Sequence, residues 1–462
     1  MGAAAPARHG PNQDLHVFLD RYCAEHPEDV TVVTDELSAD QDVTAVVWEL
    51  AARGRDDLVV CRNVRGLGVE VATNLFASRA RIARLLGTDE AHLHETYQRR
   101  AAARMEPRVV AAGPVLDRVS AGPDVDVRTL PLLTHFATDR APYITSGIIV
   151  ACHPGTGVGN LSYHRAMVDS PTSLATSLHS RGHLWLMLLA ARERGQSLPV
   201  AMVIGGHPLF MLAASARVGA DVDERTIAGG LLGAPLEVIE TPRYGLGVPA
   251  SADFVLEGVL DPETAAEEGP FGEFTGYSSN RSTNTMFRIE TILRRGDARL
   301  LDVVGGNSAE HLNLARVPRE SEMAEKLKER FPSVVRLHYP RSGTHFHCYV
   351  AVRQQRAGEA RQVMLALLGW DPYLKTVVAV DDDVDVGDDA SVLWALATHF
   401  QPHRDLFVID GLPGSALDPS SSATGSTSRL ALDATRPEGF EGVRAGISDA
   451  AMARARAVLG DA

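Results

Sequence analysis

The chain has 462 residues, 45% apolar and 23% charged, with a formal net charge of −14 and a sequence pI of about 5.6. The length suits about three domains with a sizeable core, and the acidic balance excludes a general nucleic-acid binder, which needs a basic face. No apolar run reaches membrane-spanning length, the longest candidate being Leu184–Ala191, and Cys23, Cys61, Cys152 and Cys348 are too scattered for a disulfide framework or a thiolate zinc site.

Met1 to Gln13 reads as a short disordered leader without a signal-peptide core, which points to a cytoplasmic protein. Periodicity then predicts a helix over Asp14–Glu25 with Asp14 as N-cap, a strand at Val30–Val33, a helix over Val43–Arg53, a strand at Leu58–Cys61 and a helix over Arg79–Leu86 stopped by Gly87. Asp89–Arg108 reads as a charged helix that links rather than packs. From Val109 the texture turns to short β runs: Val125–Leu133, Ile144–Cys152, Leu198–Ile204, Leu236–Ile239, Ala252–Leu260, Phe287–Leu293 and Leu300–Val304, interrupted by a few helices, mainly Gly182–Gln196 and Pro208–Ala216. This irregular, strand-rich middle suggests a barrel or sandwich rather than a doubly wound sheet. Glu320–Phe331 is an amphipathic helix, and the rest alternates strand and helix in a βαβ-like domain: strands at Val334–Leu337, His345–Val352, Thr376–Val380 and Leu406–Ile409, helices at Gly358–Leu368 and Ala390–His399. Gly411–Ser428 reads as a mobile loop and Ser448–Leu459 as a closing helix.

The stretch richest in chemistry is Glu268-Gly-Pro-Phe-Gly-Glu273-Phe-Thr-Gly-Tyr277. In a regular strand the odd spacing would point Glu268 and Glu273 to opposite faces, but a Gly-Pro-x-Gly turn can bend both toward one pocket. Two carboxylates beside an arginine are held at different pKa values, one ionised and one able to donate. The plain alternative is a surface turn with two solvated glutamates. Asn160 and Arg165 stand five positions apart, and Arg165 on its own reads as an ion-pair partner or a catalytic group. His183 opens the apolar helix after Arg181-Gly182, where it either caps or helps hold an anion or a metal. With Glu224 these make an Asn160, His183 and Glu224 set, hard and oxygen-rich, suited to Mn²⁺ or Mg²⁺ more than zinc. Asp381-Asp-Asp-Val-Asp385 reads as a solvated strand-end loop, and His345-Phe-His347 as a same-face pair lacking a third ligand.

Taken together, the motifs resemble the UbiD-type decarboxylase family, which uses prenylated FMN. The resemblance is carried by Thr73–Gly87, by Leu130-Pro-Leu-Leu-Thr134 with Pro142–Gly147, by Asn160-x4-Arg165, by Glu268–Tyr277, and by Leu417-Asp-Pro419 with Leu432-Asp-Ala-Thr435. It implies an α+β fold: a split β-barrel flavin-binding domain (109–315), flanked by a small N-terminal α+β module (1–108) and a linker helix with a C-terminal α/β oligomerisation domain (316–462). Position by position, it implies Asn160, His183 and Glu224 as metal ligands clamping the flavin phosphate. The cofactor would be lined by Asn160, Leu161, Ser162, Tyr163, His164, Arg165, Gly182, His183 and Glu224. K⁺ would sit near Ala213–Ala216 and Glu224. The family's Glu–Arg–Glu network falls on Glu268, Arg165 and Glu273. Ser278 and Ser279, Arg429 and His399 depart from common family residues and bear on substrate identity.

The activity so implied is reversible non-oxidative decarboxylation of an α,β-unsaturated, aromatic or heteroaromatic acid through a covalent adduct with the prenylated flavin, with Glu273 as proton donor. The implied partners are a flavin prenyltransferase that supplies the cofactor and a second copy of the chain. The competing readings are the reverse carboxylation, a non-catalytic flavin or metal carrier, and a metal hydrolase built on Asn160, His183 and Glu224. Intact glutamates weigh against the carrier, and the lack of a water-activating base beside the metal set weighs against the hydrolase.

Overall fold

A computed structural model of the protein describes residues 12–178, 182–280, 282–421 and 425–460. Of the expected leader, residues 1–11 lie outside these, and Gln13 is not loose: its Nε2 donates to Pro235 O at 2.8 Å and its Oε1 accepts from Glu237 N at 2.9 Å. Asp14 caps the Leu15–Glu25 helix by accepting from His16 N.

The centre is a nine-stranded sheet curled into a half-barrel. Its spine is the long antiparallel pair Phe254–Glu268 and Ser282–Arg294, flanked on one side by Leu198–Ile204, Ile148–Cys152 and Gly159–Tyr163. On the other side lie Ser173–Thr176, Ala166–Ser170 and Tyr143–Ile144, while Arg118–Ala121 pairs with the spine from outside this order. Strand alternation splits the run Leu198–Ile204 between two cores, Ala201 and Val203 on one face, Val200, Met202 and Ile204 on the other. Both faces are covered, which is why this strand reads as continuously apolar.

A four-stranded sheet holds Val30–Val33, Leu58–Cys61 and Val71–Thr73, completed by Leu300–Leu301 from the far end of the central domain. The C-terminal domain is a five-stranded sheet in the order Val334–His338, His347–Val352, Thr376–Asp381, Ser426–Ala434, Leu406–Pro413. The 22-residue helix Ala309–Arg330 connects the two larger domains and spans the expected boundary at 315/316.

Several expectations are corrected. Val125–Leu133 is not a strand but a single 3₁₀ turn at Val127–Thr129, because the Asp126 side chain accepts from Arg128 N and Pro131 breaks any ladder. The charged helix Leu93–Ala102 packs, burying Leu93, Thr96 and Tyr97. Gly411–Ser428 is a loop with strand at both ends: one strand runs to Pro413, the next begins at Ser426, and Gly414 N donates to Gly425 O at 2.9 Å (residues 422–424 lie outside the described residues). His345 precedes its strand, so it does not form a same-face pair with His347. The final helix, Asp449–Leu459, forms with Ser448 as its cap but buries none of its residues. Among the described residues, no helix is long and apolar enough to cross a membrane.

Candidate active site

The two spine strands are joined by the Glu268–Tyr277 stretch, so the longest hairpin in the protein presents its loop as the site. Glu268 is the last residue of its strand, paired with Ser282. Gly269 and Gly276 both have positive φ, +87° and +84°, where a Cβ is disfavoured. The Gly269–Pro270 bond is cis. Glu273 N donates to Tyr277 O and Gly276 N to Glu273 O, each at 2.9 Å, which closes the turn.

This geometry brings the expected trio together. Arg165 donates to Glu268 through Nε at 2.8 Å and Nη2 at 3.1 Å, and its Nη1 donates to Glu273 Oε1. The guanidinium carbon also lies 4.8 Å from the centroid of the Phe271 ring. Glu268 is fully buried and Glu273 is 5% exposed. Burial pushes the Glu273 carboxyl above its ordinary range, and the charge of Glu268 adds to this against the pull of Arg165. Arg165 is driven upward: burial opposes its charge, but its two carboxylates more than offset that. It is a fixed cation.

Two residues that sequence reasoning left without a role hold Glu268. Tyr143 OH donates to Oε1 at 3.0 Å, and Asn284 Nδ2 donates to Oε2 at 2.9 Å. Tyr143 stood inside the motif Pro142–Gly147. Asn284 carried no signal, because a polar residue at alternate strand positions reads as solvent-facing.

The strand Gly159–Tyr163 splits the expected cofactor strip by alternation. Asn160, Ser162 and His164 form a hydrogen-bonded row: Asn160 Nδ2 donates to Ser162 Oγ at 2.9 Å, and Ser162 Oγ lies 2.9 Å from His164 Nε2. Leu161 belongs to the core on the other face, and Tyr163 OH donates to Met211 O at 3.1 Å. Among the described residues this strand ends the sheet, and one of its backbone edges has no strand partner.

His183 and Glu224 come together from two helices, beside the strand that carries Asn160. Gly182 is the N-cap of the helix His183–Arg192, and Glu224 opens the helix Glu224–Leu232, capped by Asp223; Arg181 lies outside the described residues. Glu224 is 3% exposed; its Oε2 accepts from Leu161 N at 2.8 Å, and its Oε1 is 3.7 Å from His183 Nδ1. The Glu224 carboxylate beside it raises His183 above its ordinary value, against the effect of burial. Because the Asn160 amide NH₂ is committed to Ser162, its side-chain oxygen is the atom left for a cation. One amide oxygen, one imidazole and one carboxylate oxygen fit a hard divalent metal with room for exogenous oxygens. Among the described residues, no group of three His, Cys, Asp or Glu side chains converges at ligand range. The acidic run Asp381–Asp385 is instead partnered by arginines, Asp382 by Arg353, Asp383 by Arg436 and Asp385 by Arg336.

Three domain models of 3-octaprenyl-4-hydroxybenzoate carboxy-lyase match in order: N-terminal over residues 24–101, Rift-related over 108–308 and C-terminal over 312–434. The anhydromevalonate phosphate decarboxylase of Methanothermobacter thermautotrophicus is 31% identical over 421 residues, covering 91% of this chain and 96% of that protein. Its counterpart in Aeropyrum pernix is 33% identical over 410 residues, 88% and 90% of the two chains. Among solved structures, the UbiD-class enzyme HmfF from Pelotomaculum thermopropionicum in complex with FMN superposes with a TM-score of 0.88 at 29% identity, over 94% of this chain and 97% of that one. The vanillic acid decarboxylase of Sedimentibacter hydroxybenzoicus gives 0.85 at 26% identity, over 97% and 99%. With its three domains matched in order and its relatives aligned nearly end to end, the chain belongs to the UbiD family of carboxy-lyases.

Proposed function

We propose that this chain decarboxylates an α,β-unsaturated, aromatic or heteroaromatic carboxylic acid without net oxidation, with prenylated FMN bound by residues 109–315. The observation that carries the reading is the buried Glu268–Arg165–Glu273 array, in which one cation holds two carboxylates in different environments. Prenylated FMN, when bound, supplies the electron sink that makes loss of CO₂ feasible. The carbon–carboxylate bond breaks, its electron pair stays with the substrate carbon, and that carbon takes a proton. Glu273 is the donor, because its raised pKa keeps it protonated where an ordinary carboxyl is not. Arg165 fixes both glutamates and faces the carboxylate end of the substrate. Tyr143 and Asn284 keep Glu268 in place. Asn160, His183 and Glu224 would hold Mn²⁺ or Mg²⁺ against the flavin phosphate, and carbonyls near Ala213–Ala216 would hold K⁺. The same residues would serve carboxylation, since one transition state is shared by both directions.

Among the substrate classes, the relatives support an unsaturated acid that is also a phosphate ester, which an anhydromevalonate phosphate is. The deciding experiment is co-expression with a flavin prenyltransferase, followed by an absorbance spectrum and the mass of the released cofactor. A mass matching prenylated FMN, lost in Glu224→Ala and in His183→Ala, supports the reading. No flavin under conditions that load a known family member refutes it.

A further inference from the structure

Next to the Glu–Arg–Glu array, on the side of the C-terminal domain, stands a group of cations that the proton chemistry does not use. Phe274, which follows Glu273, packs its ring centroid 4.7 Å from that of His345 and 6.2 Å from that of Tyr373. Tyr373 in turn lies against two guanidinium groups, Arg319 at 5.1 Å and Arg217 at 5.8 Å from its ring centroid. Arg316 and His311 are close enough to repel charge on His345.

The positive charge here exceeds the negative. Asp371 neutralises Arg319. Glu320, the carboxylate facing Arg316, is already paired with Arg79 at 2.9 Å. Arg316 donates to Thr344 O at 2.8 Å, but its Nε is buried without a partner, as is Nδ1 of the fully enclosed His345. Arg217 is solvent-accessible, and among the described residues its contact is the Tyr373 ring, with no hydrogen bond or ion pair. Burial and neighbouring positive charge hold His311 and His345 below their ordinary range and bring Arg316 down to about 9. Cations this crowded and short of counter-ions are costly unless an anion joins them.

We propose that Arg217, backed by Arg316 and His345, receives a phosphate group on the substrate, at the end remote from the carboxylate that leaves. Arg217, which no carboxylate pairs, and Arg316, whose facing Glu320 is already paired with Arg79, can match the charge of a phosphate dianion, and the planar guanidinium fork suits its oxygens. The inference rests on the decarboxylase reading, in which the flavin phosphate already has a seat at Asn160, His183 and Glu224. The cluster instead adjoins Phe274 and the proton donor.

The test is titration of inorganic phosphate into the full chain saturated with FMN, which occupies the cofactor's own phosphate seat. Wild type is expected to bind one phosphate, Arg217→Gln to bind it at least about ten-fold more weakly, and Arg217→Lys to recover part of the loss because it keeps the charge. Arg217 is exposed, so folding is not at stake. Phosphate binding to the FMN-free chain that disappears in the FMN-saturated chain overturns the proposal, since the cluster would then seat the cofactor; unchanged affinity in Arg217→Gln also overturns it. Flavin retention, read in the same samples, separates the two failures: loss of flavin binding in wild type sinks the decarboxylase reading, whereas retained flavin with an indifferent Arg217 sinks only the phosphate site.

Discussion

Glu268 and Glu273 share one arginine yet live differently. Glu268 accepts four hydrogen bonds, two from Arg165 and one each from Tyr143 and Asn284, whereas Glu273 accepts one, from Arg165. Glu273, buried with a single donor, is pushed upward and is the better placed acid. Glu273→Gln should therefore lower kcat by at least about 10²-fold while flavin content stays at the wild-type level, and a mutant turning over at the normal rate would remove Glu273 from the mechanism. The pH profile has a definite sign. The acid works when protonated, and its pKa is raised, so activity persists above the ordinary carboxylate range and falls as pH rises through the shifted value. An alkaline limb near pH ~4, the free glutamate value, would contradict the burial argument.

At the scale of elements, the hairpin loop is legible in the sequence because its residues force the backbone: two glycines at positive φ and a proline admit neither helix nor strand. Its supports are not legible there. Tyr143 lies 125 positions from Glu268, and Asn284 depends on the register of the spine pair. The C-terminal hairpin reads as a loop for a related reason: Gly, Pro and Ser dominate its tip, while the arm Ser426–Ala434 is set by pairing with the distant strand Thr376–Asp381 and the arm Leu406–Pro413 by pairing with Ser426–Ala434. The start of the long helix is likewise hidden from pattern reading. Its first turn carries Glu310, fully buried, whose carboxylate accepts from Asn74 N at 2.9 Å, Phe76 N at 3.3 Å, Val304 N at 3.2 Å and Thr73 Oγ1 at 3.2 Å. This one side chain ties the helix to the strand Val71–Thr73 and to the chain after Leu300–Leu301. Glu310→Ala orphans these buried donors and should cost about 3 kcal/mol or more, read as a shift in the denaturation midpoint. Burial and the neighbouring Asp302 push Glu310 up to about 7. A carboxyl raised on folding stabilises below its unfolded pKa and loses that contribution as pH rises through the folded value. Wild-type stability should thus decline between pH ~4.3 and about 7 by an amount that Glu310→Gln removes.

On the scale of the molecule, the helix Ala309–Arg330 is the joint. Its first turns grip the N-terminal module through Glu310 and Asn313, whose Nδ2 donates to Ala77 O at 2.7 Å. Its middle grips the C-terminal domain: Arg319 donates through Nε to Asp371 Oδ2 at 2.5 Å and through Nη2 to Oδ1, and Tyr339 OH joins the same carboxylate at 2.8 Å. Arg319 and Asp371 are both essentially buried, so the pair gains little over an apolar substitute, but breaking it leaves one charge stranded. Asp371→Ala should accordingly cost about 3–5 kcal/mol, in an unfolding step assigned to the C-terminal domain. Arg319→Met combined with Asp371→Ala should recover much of that loss, because no charge is then left unpaired. If the double variant is as unstable as Asp371→Ala alone, the loss comes from the Asp371 contacts to Tyr339 OH and Tyr373 N rather than from a stranded arginine, and the joint is a hydrogen-bonded hub rather than an ion pair.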